Sequence, residues 1–163
     1  MKYFILINPE FCNGCKICEI TRSLQKEGEC NPEKARIQVY RKEEEGLISA
    51  IPIVCQQCAD PPCQDACPTE AVAKPNGKPY LWIDSNKCNG CGECYRACPI
   101  GAIRMGANGG KAMVCDLCQL DPSCVKLCHS GSLSFICQEK EAEKPAYQYL
   151  FKALQKENIL PEG

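Results

Sequence analysis

Residues 88–99, Cys88-Asn89-Gly90-Cys91-Gly92-Glu93-Cys94-Tyr95-Arg96-Ala97-Cys98-Pro99, decide how this chain folds. Three cysteines in one short loop, followed by a fourth cysteine and a proline, form the C-x₂-C-x₂-C-x₃-C-P run of [4Fe–4S] proteins, whose last cysteine ligates a second cluster. Gly90 and Gly92 permit the tight turns of such a loop. Zinc favours two well-separated C-x-x-C pairs, so this stretch predicts iron–sulfur ligation.

The arrangement recurs along the chain, which has 17 cysteines in 163 residues. A recurring pattern of this kind indicates several copies of one small structural unit. Cys137 stands outside the pattern, and we interpret it as a buried or spare thiol. The four groups are Cys12, Cys15 and Cys18 with Cys30; Cys55, Cys58, Cys63 and Cys67; Cys88, Cys91, Cys94 and Cys98; and Cys115, Cys118, Cys124 and Cys128.

The composition indicates a protein that depends on bound metal. Cysteine makes up about a tenth of the chain, a level at which it acts as a scaffold. Without the cysteines the apolar fraction is ordinary to low, so the groups bound to them must supply much of the stability. The odd number of cysteines also argues against a framework of disulfides.

The net charge of −1 provides no strong field for nucleic acid or anionic lipid. The apolar stretch at residues 3–7 stops at Asn8-Pro9, too early for a signal peptide or a membrane span. We therefore expect a cytoplasmic protein without a membrane span, in a compartment where thiols stay reduced. No acid–base pair, nucleophile motif or phosphate loop is evident, so we do not expect this chain to catalyse a reaction alone.

The first group departs from the pattern at its fourth position. Residue 22 should be cysteine but is arginine, and the next cysteine is Cys30. Either Cys30 folds back to replace the missing ligand, which we favour because Cys30 is otherwise unexplained, or the expected cluster is absent or has another ligand. Arg22 is then either a cation that raises the potential of a nearby cluster or simply an exposed residue.

The fourth group leaves zinc as a competitor of iron, because His129 rather than proline follows Cys128. We expect His129 on the surface or behind a ligand, and not as a ligand itself.

Short regular elements are expected between the groups. Residues 35–40 and 80–83 alternate as strands do, and each C-x-x-x-C segment could begin a short helix. Residues 41–46 and 105–111 have the composition of loops. Pro145 could open a helix that carries an apolar stripe, which docks on this domain or on a partner. The stripe consists of Tyr147, Leu150, Phe151 and Leu154.

Four such groups in one chain resemble the electron-transfer subunits of molybdenum and tungsten oxidoreductases, over residues 1 to about 137. The resemblance implies that the first group pairs with the fourth and the second with the third. It implies three to four [4Fe–4S] clusters, the last of which depends on Cys30. The implied ligand sets are Cys55, Cys58, Cys63 and Cys98; Cys88, Cys91, Cys94 and Cys67; Cys12, Cys15, Cys18 and Cys128; and Cys115, Cys118 and Cys124 with Cys30.

A closer resemblance is to the small subunit of aldehyde oxidoreductase-type tungsten enzymes, including class II benzoyl-CoA reductase. It is carried by residues 12–19, 27–32 and 35–37 and by Cys115-Asp116-Leu117-Cys118 with Asp121-Pro122. Those small subunits usually have cysteine where this chain has Arg22, and an aromatic residue where it has Cys30.

The resemblance implies a small α+β fold of duplicated bacterial-ferredoxin-like modules, with short strands, short helices and long loops. We expect a polyferredoxin domain over residues 1–137, built from two interlocked units (1–48 with 105–137, and 49–104), and a C-terminal docking tail or helix at 138–163.

The implied function is to relay single electrons between a tungsten- or molybdenum-containing catalytic subunit and a ferredoxin or further redox subunit. Two alternatives stay open at this point. One is a free-standing polyferredoxin, and the other is a zinc-scaffolded binding module.

Overall fold

Short alternating segments pair as four separate antiparallel ribbons in the computed structural model, which describes residues 1–75, 77–107, 110–138 and 147–157. Isolated two-stranded ribbons are marginal in water, and two of these have strands of only two residues, so other contacts must hold them. The ribbons are β1 (Lys2–Ile7) with β8 (Leu133–Gln138), β2 (Ile37–Glu44) with β3 (Leu47–Val54), β4 (Val72–Ala73) with β5 (Trp82–Ile83), and β6 (Arg104–Met105) with β7 (Ala112–Met113).

Three very short helices lie where the C-x-x-x-C segments predicted them. Each contains the third cysteine of its group: Cys63 in α2, Cys94 in α3 and Cys124 in α4. With the ribbons, they make the small α+β fold that was predicted. The helices are α1 (Ile17–Glu27), α2 (Pro62–Asp65), α3 (Glu93–Ala97), α4 (Ser123–Lys126) and α5 (Tyr147–Lys156).

The prediction of a loop at residues 41–46 was wrong for most of its length, because β2 continues to Glu44. Arg41 and Glu44 pair with Ala50 and Leu47, and only residues 45–46 form the turn. Both turn residues have positive φ, as a two-residue hairpin turn requires. The charged side chains along this outer end of the strand hid its β character.

The pairing of β1 with β8 brings residues 2–7 and 133–138 together. Ile5 lies opposite Phe135, and Ile7 lies opposite Leu133. The first cysteine group follows β1 and the fourth precedes β8, so the ribbon places these groups side by side. Helix α1 accordingly contacts α4, while α2 contacts α3.

Helix α5 packs on the main apolar core through Leu154. Leu154 is fully buried and joins the cluster that includes Ile37, Val54 and Leu81. The expected helix start at Pro145 lies outside the described residues. The apolar stripe was expected to dock either on this domain or on a partner. Leu154 packs on this domain.

None of the described helices combines the length and the apolar character that crossing a bilayer requires.

The loop of the first cysteine group packs directly on the β2–β3 ribbon. Gly14 has φ +71°, and a Cβ there would lie 3.2 Å from Cδ of Arg41 and 3.3 Å from Cβ of Ala50. Gly28, which ends α1, has a similar φ of +73° but no atom within 4 Å of such a Cβ. The two glycines thus share one backbone requirement and differ in the space around them.

We expect Leu154→Ala to lower the free energy of unfolding of the metal-loaded protein by about 2–5 kcal/mol, the usual cost of truncating a buried leucine. The matched control is Leu47→Ala, because Leu47 is 78% exposed. Thermal unfolding followed by circular dichroism under anaerobic conditions makes the comparison. Equal midpoints for the two variants would contradict the packing of α5 on the core.

We expect Gly14→Ala to destabilise the protein more than Gly28→Ala does. Both variants carry the strain of a left-handed alanine, roughly 1–2 kcal/mol, but only Gly14→Ala also pushes the loop away from Arg41 and Ala50. The measurements are the midpoint of thermal unfolding and the iron content per chain. Equal loss in the two variants would show that the first loop is free to shift.

Candidate iron–sulfur centres

A left-handed residue stands immediately before the second cysteine in all four groups. Two of these positions are glycine, but Gln57 and Leu117 adopt the same conformation at a cost of about 1–2 kcal/mol each. A costly conformation that recurs at equivalent places indicates a loop shape set by what the loop holds. The φ values are +71° at Gly14, +50° at Gln57, +76° at Gly90 and +52° at Leu117.

Buried hydrogen bonds hold Gln57 in this conformation. Its Nε2 donates to the carbonyl oxygen of Cys115 at 2.7 Å, and its Oε1 accepts from the backbone N–H of Leu81 at 2.7 Å. The side chain is almost fully buried. Gln57 therefore fixes the second loop and ties it to the fourth.

A second recurring turn lies three residues after the last cysteine of the second, third and fourth groups. Glu70, Gly101 and Gly131 all have positive φ there. The next N–H then points back: Ala71 donates to Sγ of Cys67 and Ala102 to Sγ of Cys98, each at 3.3 Å. Amide donors to sulfur favour thiolates and tune the potential of a bound cluster, so these loops fit the group that the sequence predicts.

The cysteines that lie close enough to influence one another's charge form four sets, which combine different groups. Three of the sets contain four cysteines. The fourth contains three cysteines, and all three act on the charge of Arg22. The first set is Cys12, Cys15, Cys18 and Cys128; the second is Cys55, Cys58, Cys63 and Cys98; the third is Cys88, Cys91, Cys94 and Cys67; the fourth is Cys115, Cys118 and Cys124 with Arg22.

A cavity lies between the cysteines of the first set and is lined by all four of them, together with Val39 and Leu133. The described residues contain no group of three or more histidine, cysteine or acidic side chains arranged to hold a single metal ion.

Burial makes these cysteines poor thiolates by themselves. It raises the pKa of Cys18 and of Cys63 to about 12, and raises the pKa of Cys55 well above its usual value. At Cys67 burial also raises the pKa, but hydrogen bonds from the backbone around Thr69 to Val72 and from the Thr69 hydroxyl outweigh it. The buried thiols with a raised pKa thus need bound metal to remain deprotonated at neutral pH, and they release protons when they bind it.

Arg22 is the least expected member of the four sets, because its side chain is fully buried. Its Nη1 donates to Sγ of Cys118, and its Nη2 lies 3.0 Å from Oδ1 of Asp116. Lys26 also binds Asp116, and Nη1 of Arg36 lies 3.4 Å from Oδ2. Burial raises the pKa of Asp116, but the hydrogen bond and charge of Lys26, with the charges of Arg22 and Arg36, hold it below its usual value.

Two predicted cysteines lie away from these sets. Cys30 is exposed beyond the end of α1, and the described contacts of Cys115, Cys118 and Cys124 lead to Arg22 instead. Its role as the fourth ligand of the last set stays a prediction. Cys137 is exposed, which leaves the spare thiol of the two expected possibilities.

His129 forms a 3.1 Å hydrogen bond with the side-chain amide of Asn13, across the first set. Sequence reasoning gave no structural role to Gln57 or Asp116. The one feature of the sequence that could have indicated these roles is that each is a polar residue between the first two cysteines of its group.

Comparison with known proteins identifies the family of this chain. The 4Fe-4S dicluster domain family matches residues 47–138. The polyferredoxin-like subunit of aliphatic sulfonate oxidoreductase from Pyrococcus furiosus is 36% identical over 160 residues, which cover 97% of this chain and 90% of that protein. The putative electron transport protein YsaA of Escherichia coli is 30% identical over 152 residues, covering 86% of this chain and 93% of that protein.

Among solved structures, the active-site complex BamBC of benzoyl coenzyme A reductase with benzoyl-CoA contains a chain of similar fold. The TM-score is 0.49 and the identity 21%, over 94% of this chain and 88% of that one. This likeness is too distant to carry a functional argument. The family and its iron–sulfur clusters decide against a zinc-scaffolded module, and the chain belongs to the 4Fe-4S dicluster domain family as a ferredoxin-like electron-transfer protein that binds [4Fe–4S] clusters.

Proposed function

We propose that this chain is the electron-transfer subunit of an oxidoreductase complex, relaying single electrons between a catalytic subunit and a ferredoxin or further redox subunit. The observation that carries the proposal is the exchange of cysteines between the second and third groups. Cys98 lies with the second set, Cys67 lies with the third, and the thiols of Cys63 and Cys94 are near enough to interact. Two clusters held in this way are neighbours, as electron relay requires.

Three sets offer four cysteines each, and we propose that each holds one [4Fe–4S] cluster. A cluster supplies one-electron chemistry at potentials within roughly −700 to +450 mV, and its protein surroundings set the value. The chain contributes the amide donors from Ala71 and Ala102 and the burial of Cys63 and Cys94. Because all their ligands are cysteine, we propose that these clusters work in the lower half of that range.

The third set reaches the protein surface. Cys91 is exposed, and Tyr95, half exposed on α3, lies nearby in sequence. An exposed ligand shortens the path between a cluster and a docked partner. This end of the cluster pair is therefore our candidate for electron exchange with another protein.

We infer the kind of partner from the similar proteins and from the family resemblance of the sequence. A subunit of a sulfonate oxidoreductase is among the similar proteins, which supports a catalytic partner. We propose that the partner is a tungsten or molybdenum enzyme of the aldehyde oxidoreductase or benzoyl-CoA reductase type, in the cytoplasm. We also propose that residues 1–48 with 105–137 form one unit and 49–104 the other, with 138–163 as a tail.

The ligand sets can be tested by one pair of variants. We expect Cys63→Ala to lower the iron content by about four atoms per chain, because Cys63 is a buried member of a complete set. Cys137→Ala should leave the iron content and the visible absorption unchanged, because Cys137 is exposed and belongs to no set. Full iron retention in Cys63→Ala would remove Cys63 from the ligands.

The complex can be tested by purification from the native host without oxygen, followed by tungsten and molybdenum analysis. We expect a catalytic subunit that contains one of these metals, and reduction of the clusters by its substrate. Recovery of the chain alone, with electron transfer to many unrelated acceptors, would instead support a free-standing polyferredoxin.

A further inference from the structure

The fourth set differs from the others in what lies among its thiols. Arg22 donates to Sγ of Cys118 and is also near enough to Cys115 and Cys124 to interact with their charge. No part of its side chain reaches solvent. The guanidinium therefore lies among the three cysteines, at the position in the run where the other groups have a cysteine.

The packing of the fourth set is also tighter. In the complete sets the innermost cysteines keep some exposure, 9% at Cys18, 6% at Cys63 and 5% at Cys94. Cys115 and Cys124 keep only 1% each. The first set encloses a cavity, and its Cys18 is the most exposed of these five thiols, whereas Cys115 and Cys124 lie beside Arg22. The side chain of Arg22 fills the corresponding space in the fourth set.

A network of charges fixes the guanidinium there. Arginine stays charged in proteins, so a buried arginine needs anionic partners. Asp116 supplies one, and Lys26 and Arg36 hold that carboxylate from its other side. Nε of Arg22 is buried without a partner among the described residues, so the group keeps donor capacity for a thiolate. The guanidinium thus offers these thiols the positive charge that iron offers elsewhere.

Cys30 is held away from this set by the segment that carries it. Helix α1 ends at Glu27, and Gly28 turns the chain away in a left-handed conformation. The backbone N–H of Asn31 donates to Oγ of Ser23 at 3.1 Å, and Lys34 pairs with Glu29 at 2.7 Å. These contacts fix the loop just beyond the end of α1, where Cys30 is exposed, whereas Arg22 is fully buried.

We propose that Arg22 replaces the fourth cluster, so that the chain binds three [4Fe–4S] clusters and its row of sites is interrupted. The sites lie in the order first, fourth, second, third, because Cys124 neighbours Cys18 and Cys115 neighbours Cys55. Electron tunnelling falls steeply with distance. Relay therefore runs through the second and third sets, and the first cluster mainly fastens the start of α1 to the loop at Cys128. This inference rests on the proposed function for the three complete sets.

The test restores the missing ligand. Arg22→Cys recreates the fourth cysteine of the run, and Cys30→Ala is the matched control. Iron and sulfide are counted in the full anaerobic chain, and native mass spectrometry counts clusters. We expect about 12 iron atoms in the wild type and in Cys30→Ala, and about 16 in Arg22→Cys. Electron paramagnetic resonance of reduced Arg22→Cys should show new coupling between the first cluster and the pair.

Each contrary outcome has a distinct meaning. About 16 iron atoms in the wild type, falling to about 12 in Cys30→Ala, would make Cys30 the ligand. About 16 iron atoms in both the wild type and Cys30→Ala would mean that a fourth cluster is held by three cysteines beside Arg22. A folded Arg22→Cys that stays at about 12 would show that Arg22 is not what excludes the cluster.

The remaining outcomes separate this proposal from the one it rests on. Fewer than about 12 iron atoms in the reconstituted wild type would count against the complete sets, and so against the proposed function itself. Where Arg22→Cys does not fold, Arg22→Lys keeps the buried charge, and about 12 iron atoms are expected in it. About 16 in Arg22→Lys would overturn the inference.

Discussion

The exchange of cysteines between distant groups is the constraint on which the rest of this structure depends. Cys67 of the second group lies with the cysteines of the third group, and Cys98 of the third group lies with those of the second. Cys128, from the fourth group, lies with Cys12 of the first group, more than 100 residues earlier in the chain. Two of the four ribbons have strands of two residues, and the apolar core is interrupted by cysteines throughout. Cross-links through metal therefore supply the long-range order that strands and apolar packing alone supply in larger domains.

The loops show what this constraint demands of the backbone. A left-handed turn stands before the second cysteine of every group, even where the residue is Gln57 or Leu117. Such strain persists only when the surroundings over-determine it. At Gln57 two buried hydrogen bonds do so, and they also link the second loop to the carbonyl of Cys115. One side chain thus sets the shape of a loop and the distance between two sites.

Much of this arrangement could be predicted from the sequence, because cysteine spacing is a local code for a local loop. The short helices at Cys63, Cys94 and Cys124 and the iron–sulfur character follow from it, and the strand at Trp82 follows from the alternation of residues 80–83. The outer end of β2 was missed because its charged residues face solvent and carry no apolar signal. The burial of Arg22 could not be predicted, because it depends on Asp116, which is far away in sequence and reaches α1 only after the two halves pair.

Arg22 also shows why replacing one cysteine of a cluster site by arginine requires further changes around it. A guanidinium that loses water at this depth has to be neutralised, and Cys115 and Cys124 are poor anions because burial raises the pKa of their thiols. Asp116 resolves the conflict, since Lys26 and Arg36 keep its carboxylate ionised. The positive charge that remains is close to Cys18 and Cys55 through their neighbours Cys124 and Cys115. A fixed cation so placed would stabilise the reduced, more negative form of both adjacent clusters, so the residue that we propose interrupts the row would also raise the potentials on either side of it.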